Sequence, residues 1–148
     1  MQKVIFVCIH NSGRSQMAEA YAKKLGAGKI EAESAGTMPG SGLNPVAVKA
    51  MEEIGYDMSS HYSKLMTQEM VESADKVITM GCGVNLDDIE NDGAVCPAVF
   101  TESEDWGLED PKGQPIEKVR EIRDEIKKSV EKLVLDAESI LNQVQHRA

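Results

Sequence analysis

The sequence has no long apolar run, no basic block, no repeat, few cysteines and a single tryptophan. No window approaches the length of a membrane span, and the apolar stretch behind Met1 is too short for a secretory leader, so no membrane association and a cytoplasmic location are expected. A formal net charge of -9 and a pI near 4.8 disfavour nucleic acid as a partner. Three cysteines are too few, and odd in number, for a secreted disulfide framework, which leaves metal binding, redox chemistry or plain burial. His10, His61 and His146 do not pair with the cysteines at zinc spacing, so no metal site is expected. The eight methionines are scattered as core filling and do not form a metal-binding cluster. Without a low-complexity linker, 148 residues read as a single domain over 1–148, and a monomer is expected.

What is present is an alternation of strand and helix patterns. Residues 4–7 form a β-branched and aromatic run typical of a strand covered on both faces, and residues 15–25 follow with helical spacing. Residues 26–28 stop that helix, and 30–35 read as a second strand. Asn44 and Pro45 are suited to cap and begin a helix that Gly55 ends, and 67–73 suggest another. "DKVITM" is a further buried strand, ending at "GCG" around Cys82. Residues 83–110 then lose the pattern and read as a long acidic loop interrupted by a short strand at 94–100. From about Ile116 a three-four apolar stripe marks a long packing helix whose last residues fray. The alternation predicts a three-layer α/β fold, a four-stranded parallel sheet flanked by helices, with ligands bound beyond the C-terminal strand ends. Cys8 and Cys82 both stand at such ends.

The segment "CIHNSGR" carries a strand through a short loop into a helix. Backbone N–H groups of Ile9, His10, Asn11, Ser12, Gly13 and Arg14 can then converge near a helix N-terminus, a concavity that binds a tetrahedral oxyanion. Asn11 and Gly13 suit positive-φ positions, and the Arg14 fork can take two oxygens at once. Cys8 lies at the floor, where these groups and the Ser15 hydroxyl would stabilise a thiolate aimed at the central atom.

"VCIHNSGRSQMAEA" resembles the active-site signature of the thioredoxin-coupled arsenate reductases built on the low-molecular-weight protein tyrosine phosphatase fold. The resemblance continues through "ESAGT" at 33–37, "NPVAVKAMEEIGYDMSSH" at 44–61, "DKVITMGCG" at 75–83, the Cys96-Pro97 pair and "EDWGLEDPKGQ" at 104–114. Ser-Gln after the arginine, where phosphatases usually carry Ser-Pro, resembles the reductase branch. The resemblance implies that Cys8 attacks arsenate while Asp110 protonates the departing oxygen. Cys82 then attacks Cys8 and releases arsenite, and Cys96 attacks Cys82, leaving a Cys82–Cys96 disulfide for thioredoxin. Trp106 is expected to anchor the loop that carries Asp110.

Some of these reductases hold a potassium ion, and the matching positions are Asn11, Glu19 and Ser34. Lys64 stands where a carboxylate is expected, so its ammonium is expected to replace the ion; no cofactor is expected beyond thioredoxin as external reductant. Residual phosphatase activity is expected as well, since arsenate and phosphate are close in shape and charge. Two rival readings use the same loop: a low-molecular-weight phosphatase working with Cys8, Arg14 and Asp110, and a non-catalytic oxyanion sensor that needs neither Asp110 nor the other cysteines.

Overall fold

The computed structural model describes residues 2–8, 10–36, 38, 42–80, 102–106, 108, 111 and 113–146, with only the backbone of 102–105 and 139–146. In chain order the elements are β1 (Gln2–Cys8), α1 (Arg14–Leu25), β2 (Ile30–Gly36), α2 (Pro45–Glu52), α3 (Gln68–Ser73), β3 (Lys76–Thr79), β4 (Glu102–Asp105) and α4 (Ile116–His146). The strands lie in the order β2-β1-β3-β4, and every pairing is parallel. Chain direction across the sheet reverses between β2, on one side of β1, and β3, on the other. The crevice beyond the ends of β1 and β3 is therefore a topological switch point, the place where open α/β sheets bind ligands.

β1 shows how the sequence makes the layers. Its residues alternate in direction, so Val4, Phe6 and Cys8 join the larger core with α1, α2 and α4, while Ile5 and Val7 join a smaller one. The smaller core is completed by Ala35, Met66, Val71, Ala74 and Val77, under α3. α4 buries Val119, Ile122, Ile126, Val130, Leu133, Val134 and Ala137, one stripe of its surface, against α1 and α2. Met17, Met51, Met58, Met66 and Met80 fill the cores as expected, whereas Met38 is exposed. No helix among the described residues is long and apolar enough to cross a membrane.

The parallel sheet flanked by helices is the architecture the sequence predicts, with local differences. β4 falls in a stretch read as acidic loop, because its backbone pairs with β3 from Lys76↔Glu102 to Thr79↔Asp105, and pairing rather than propensity makes it a strand. The strand expected at 94–100 lies outside the described residues. α2 is capped by Asn44, whose Oδ1 accepts from the N–H of Val46 and Ala47, but its C-cap is Glu53. Gly55 takes φ +86 two residues later, turning the chain so that the Tyr56 N–H bonds the Met51 carbonyl. Trp106 packs its ring on Phe6 at 5.6 Å between centroids and donates its backbone N–H to Thr79, which fastens the end of β4 to the sheet.

Candidate active site

Cys8 ends β1 as a buried free thiol. The loop behind it turns because Asn11 adopts φ 52, a left-handed conformation that Asn tolerates better than other non-glycine residues. That turn brings the Asn11 N–H onto the Cys8 sulfur at 3.1 Å. The Ser15 hydroxyl lies 2.9 Å from the same sulfur and accepts the Asn11 Nδ2–H at 2.8 Å, which leaves its own hydrogen for Cys8. Both contacts stabilise negative charge on the sulfur.

Gly13 does not use the positive φ expected of it; its φ is -133. The position is small because Pro111 crosses it: a Cβ built on Gly13 would sit 2.9 Å from the Pro111 Cγ. Gly13 is also the N-cap of α1 and offers no side chain to cap the N–H groups of the first turn. Arg14 opens α1 and is nearly fully buried. Its Nη1 donates to the Leu108 carbonyl at 3.0 Å and the Met80 carbonyl at 3.4 Å. These carbonyls follow β4 and β3, so one guanidinium joins the β1 loop to the chain leaving both of those strands.

Cys8, His10, Ser12, Gly13, Arg14, Asn44 and Pro111 line one small cleft. His10 donates its Nδ1–H to the Met38 carbonyl at 3.0 Å, since that oxygen only accepts. Asn44 donates its N–H to the Ser12 carbonyl at 2.7 Å, so the cap of α2 also holds the loop. The predicted Cys8, His10, Asn11, Ser12, Gly13, Arg14 and Ser15 are thus gathered in one place. Ile9, Cys82, Cys96 and Asp110 lie outside the described residues, though Pro111, next to Asp110 in the chain, is on the cleft wall.

A second polar cluster lies behind the loop. Glu19 is almost wholly buried and accepts from Ser34 Oγ at 3.1 Å and from His61 Nδ1 at 2.9 Å. Lys64 Nζ lies 3.5 Å and Lys23 Nζ 3.6 Å from its carboxylate. Burial alone would raise the Glu19 pKa, but the His61 hydrogen bond and the two ammonium groups outweigh it and bring the value from 4.5 to about 2. The candidate cation residues Glu19 and Ser34 are therefore together, with an ammonium already on the carboxylate. Asn11 Oδ1, the third, is engaged by the Lys64 N–H at 2.9 Å.

The sequence reading missed Gln16 as part of the site. It is completely buried, and its Nε2 reaches the Asn11 carbonyl, the Asn11 Oδ1 and the Tyr62 carbonyl at 3.0, 2.9 and 2.9 Å. The available signal was a polar face on an otherwise apolar helix: Gln16, Glu19 and Lys23 fall at helical spacing.

Known proteins resemble this arrangement over nearly its whole length. The chain is 44% identical, over 90% of its residues, to the glutaredoxin arsenate reductase of Synechocystis, covering 97% of that protein. Among solved structures, an arsenate reductase in a phosphate-binding state superposes with a TM-score of 0.78 at 43% identity, over 93% of this chain and 99% of the other. A thioredoxin-dependent arsenate reductase of Corynebacterium glutamicum gives 0.74 at 32% identity, over 93% of this chain and 62% of that one. The YwlE arginine phosphatase of Geobacillus stearothermophilus gives 0.81 at 27% identity, over 99% and 97%. Residues 3–146, which run from the strand before the cysteine loop to the last described turn of α4, match the low molecular weight phosphotyrosine protein phosphatase family, and the chain belongs to it.

Proposed function

We propose that this chain is an arsenate reductase recharged by thioredoxin, working in the cytoplasm as one domain and contributing to arsenic resistance. The observation that supports arsenate reduction most directly is the 44% identity to a glutaredoxin arsenate reductase over almost the full length of both, and the support for thioredoxin as the reductant is the likeness to a thioredoxin-dependent arsenate reductase. The geometry is consistent with the first step: a sulfur that receives two hydrogen bonds lies in a cleft shared with a buried arginine. In this reading the Cys8 thiolate attacks arsenic(V), an arsenic–sulfur bond forms, and the displaced oxygen leaves as water with a proton from Asp110. The Cys82 thiolate then attacks the Cys8 sulfur. The sulfur–arsenic bond breaks, its electron pair stays on arsenic, and arsenite departs from a Cys8–Cys82 disulfide. Attack by Cys96 on Cys82 returns Cys8 as thiolate, and the dithiol of thioredoxin reduces the Cys82–Cys96 disulfide.

The Lys64 ammonium takes the place of potassium at Glu19, so turnover does not depend on that ion. The test is arsenite formed per enzyme with thioredoxin and its reductase, and in parallel with glutaredoxin, for wild type, Cys82→Ser and Cys96→Ser. Turnover that is supported by thioredoxin, lost in both variants and equal in potassium and sodium buffers upholds the proposal. A second reading has a specific support, the likeness to an arginine phosphatase: Cys8, Arg14 and Asp110 alone would hydrolyse a phosphoryl group through a Cys8-bound intermediate. Absence of arsenite formation, together with hydrolysis of p-nitrophenyl phosphate that neither cysteine substitution alters, would establish that reading instead.

A further inference from the structure

We propose that Gln16 is a positioning residue for the Cys8 nucleophile, holding Asn11 in the left-handed conformation that aims the Asn11 N–H at the sulfur. The inference rests on Cys8 being the nucleophile, as proposed above. A wholly buried carboxamide is tolerated only if its polar atoms are bonded, and here they are. Its orientation is fixed by its partners: the Asn11 carbonyl, the Asn11 Oδ1 and the Tyr62 carbonyl only accept, so the nitrogen must face them. The amide oxygen then faces His61 Nδ1 at 2.9 Å, an atom also 2.9 Å from the Glu19 carboxylate. Both neighbours are acceptors, so Nδ1 carries a hydrogen.

The result is a continuous chain of contacts from Glu19 through His61, Gln16 and Asn11 to Cys8. Gln16 grips Asn11 by its backbone and its side chain at once, and Ser63 Oγ donates to the same Asn11 carbonyl at 3.0 Å. Asn11 is the one non-glycine residue with positive φ among the described residues. Were it released to negative φ, its N–H would swing off the sulfur, and the thiolate would lose a donor.

The experiment reads the thiol directly. In a Cys82→Ser, Cys96→Ser background Cys8 is the sole thiol, and its rate of alkylation by iodoacetamide against pH follows its thiolate fraction. Among the described residues, the charged or titratable groups sharing the cleft with Cys8 are Arg14 on α1 and His10 on the loop, and neither is altered. Gln16→Met, which keeps the length and loses every hydrogen bond, is expected to lower the thiolate fraction at neutral pH about tenfold. Ser63→Ala, which removes one bond at a half-buried site, is expected to move the profile in the same direction by less. A Gln16→Met protein with a wild-type circular dichroism spectrum and an unshifted profile would overturn the proposal. Should Gln16→Met fail to fold, an unshifted Ser63→Ala profile would overturn it equally. Failure of the underlying assignment shows separately, as p-nitrophenyl phosphate hydrolysis that survives Cys8→Ala.

Discussion

Gly13 and Pro111 meet so closely that one added methyl has nowhere to go. The contact is with a proline ring, which cannot swing aside as the end of a long side chain would. Gly13→Ala is therefore expected to displace Pro111, the residue joined to the general acid proposed above, and to leave the sheet untouched. Misplacing a group that acts in the chemistry by a fraction of an ångström costs about tenfold or more in rate. The expected outcome is a loss of that size in kcat for p-nitrophenyl phosphate, with a circular dichroism melt close to wild type. The residue type at this position was legible in the sequence and its reason was not. A positive φ is a local property that the letters suggest, and Asn11 has it, whereas a close approach by a distant segment leaves no local trace. Gln16 escaped for a related reason. A glutamine in a helix reads as a surface residue until the loop folded over it is known.

Elements were legible wherever the signal was periodic or chemical. The stripe of α4 and the Asn-Pro start of α2 are such signals, and both are where the sequence placed them. β4 carries no such pattern, since its acidic residues form a strand through backbone pairing with a neighbour far away in the chain. The start of α2 also supports a prediction, because Asn44 has two tasks. Its side chain caps the helix and its backbone holds Ser12. Asn44→Ala removes only the first and is expected to cost about 1 kcal/mol, measured as a lower urea midpoint with an unchanged slope. Because the backbone bond to Ser12 persists, kcat/KM should fall by no more than a few-fold.

At the scale of the whole molecule the buried Glu19 cluster links stability to acidity. Its folded pKa of about 2 lies below the ordinary 4.5, so its contribution is complete above pH 4.5 and is lost as pH falls toward 2. That contribution is on the order of 3 kcal/mol. Melting temperature measured across this window is expected to drop more steeply for wild type than for Glu19→Gln, which has no proton to gain there. Above the window the variant should be the less stable of the two, since it leaves His61, Lys64 and Lys23 facing a neutral amide.

Among the described residues the two faces of the sheet are unequally covered, and this sets a clock. One face lies under α1, α2 and the long α4, and the described cover of the other is the short α3 with Met66 and a few aliphatic side chains. Fewer apolar contacts mean a cheaper local opening, so amides of α3 should exchange with deuterium through excursions that never reach those of α1 and α4. Ser63 and Lys64, which fasten Asn11, belong to the chain leading into this thinner side. Each excursion there loosens the fastening while the rest of the protein stays folded. The order of the loop around Cys8 then lasts as long as α3 and the chain leading into it stay shut, and deuterium uptake at Asn11 is expected to keep pace with α3 rather than with the helix it adjoins.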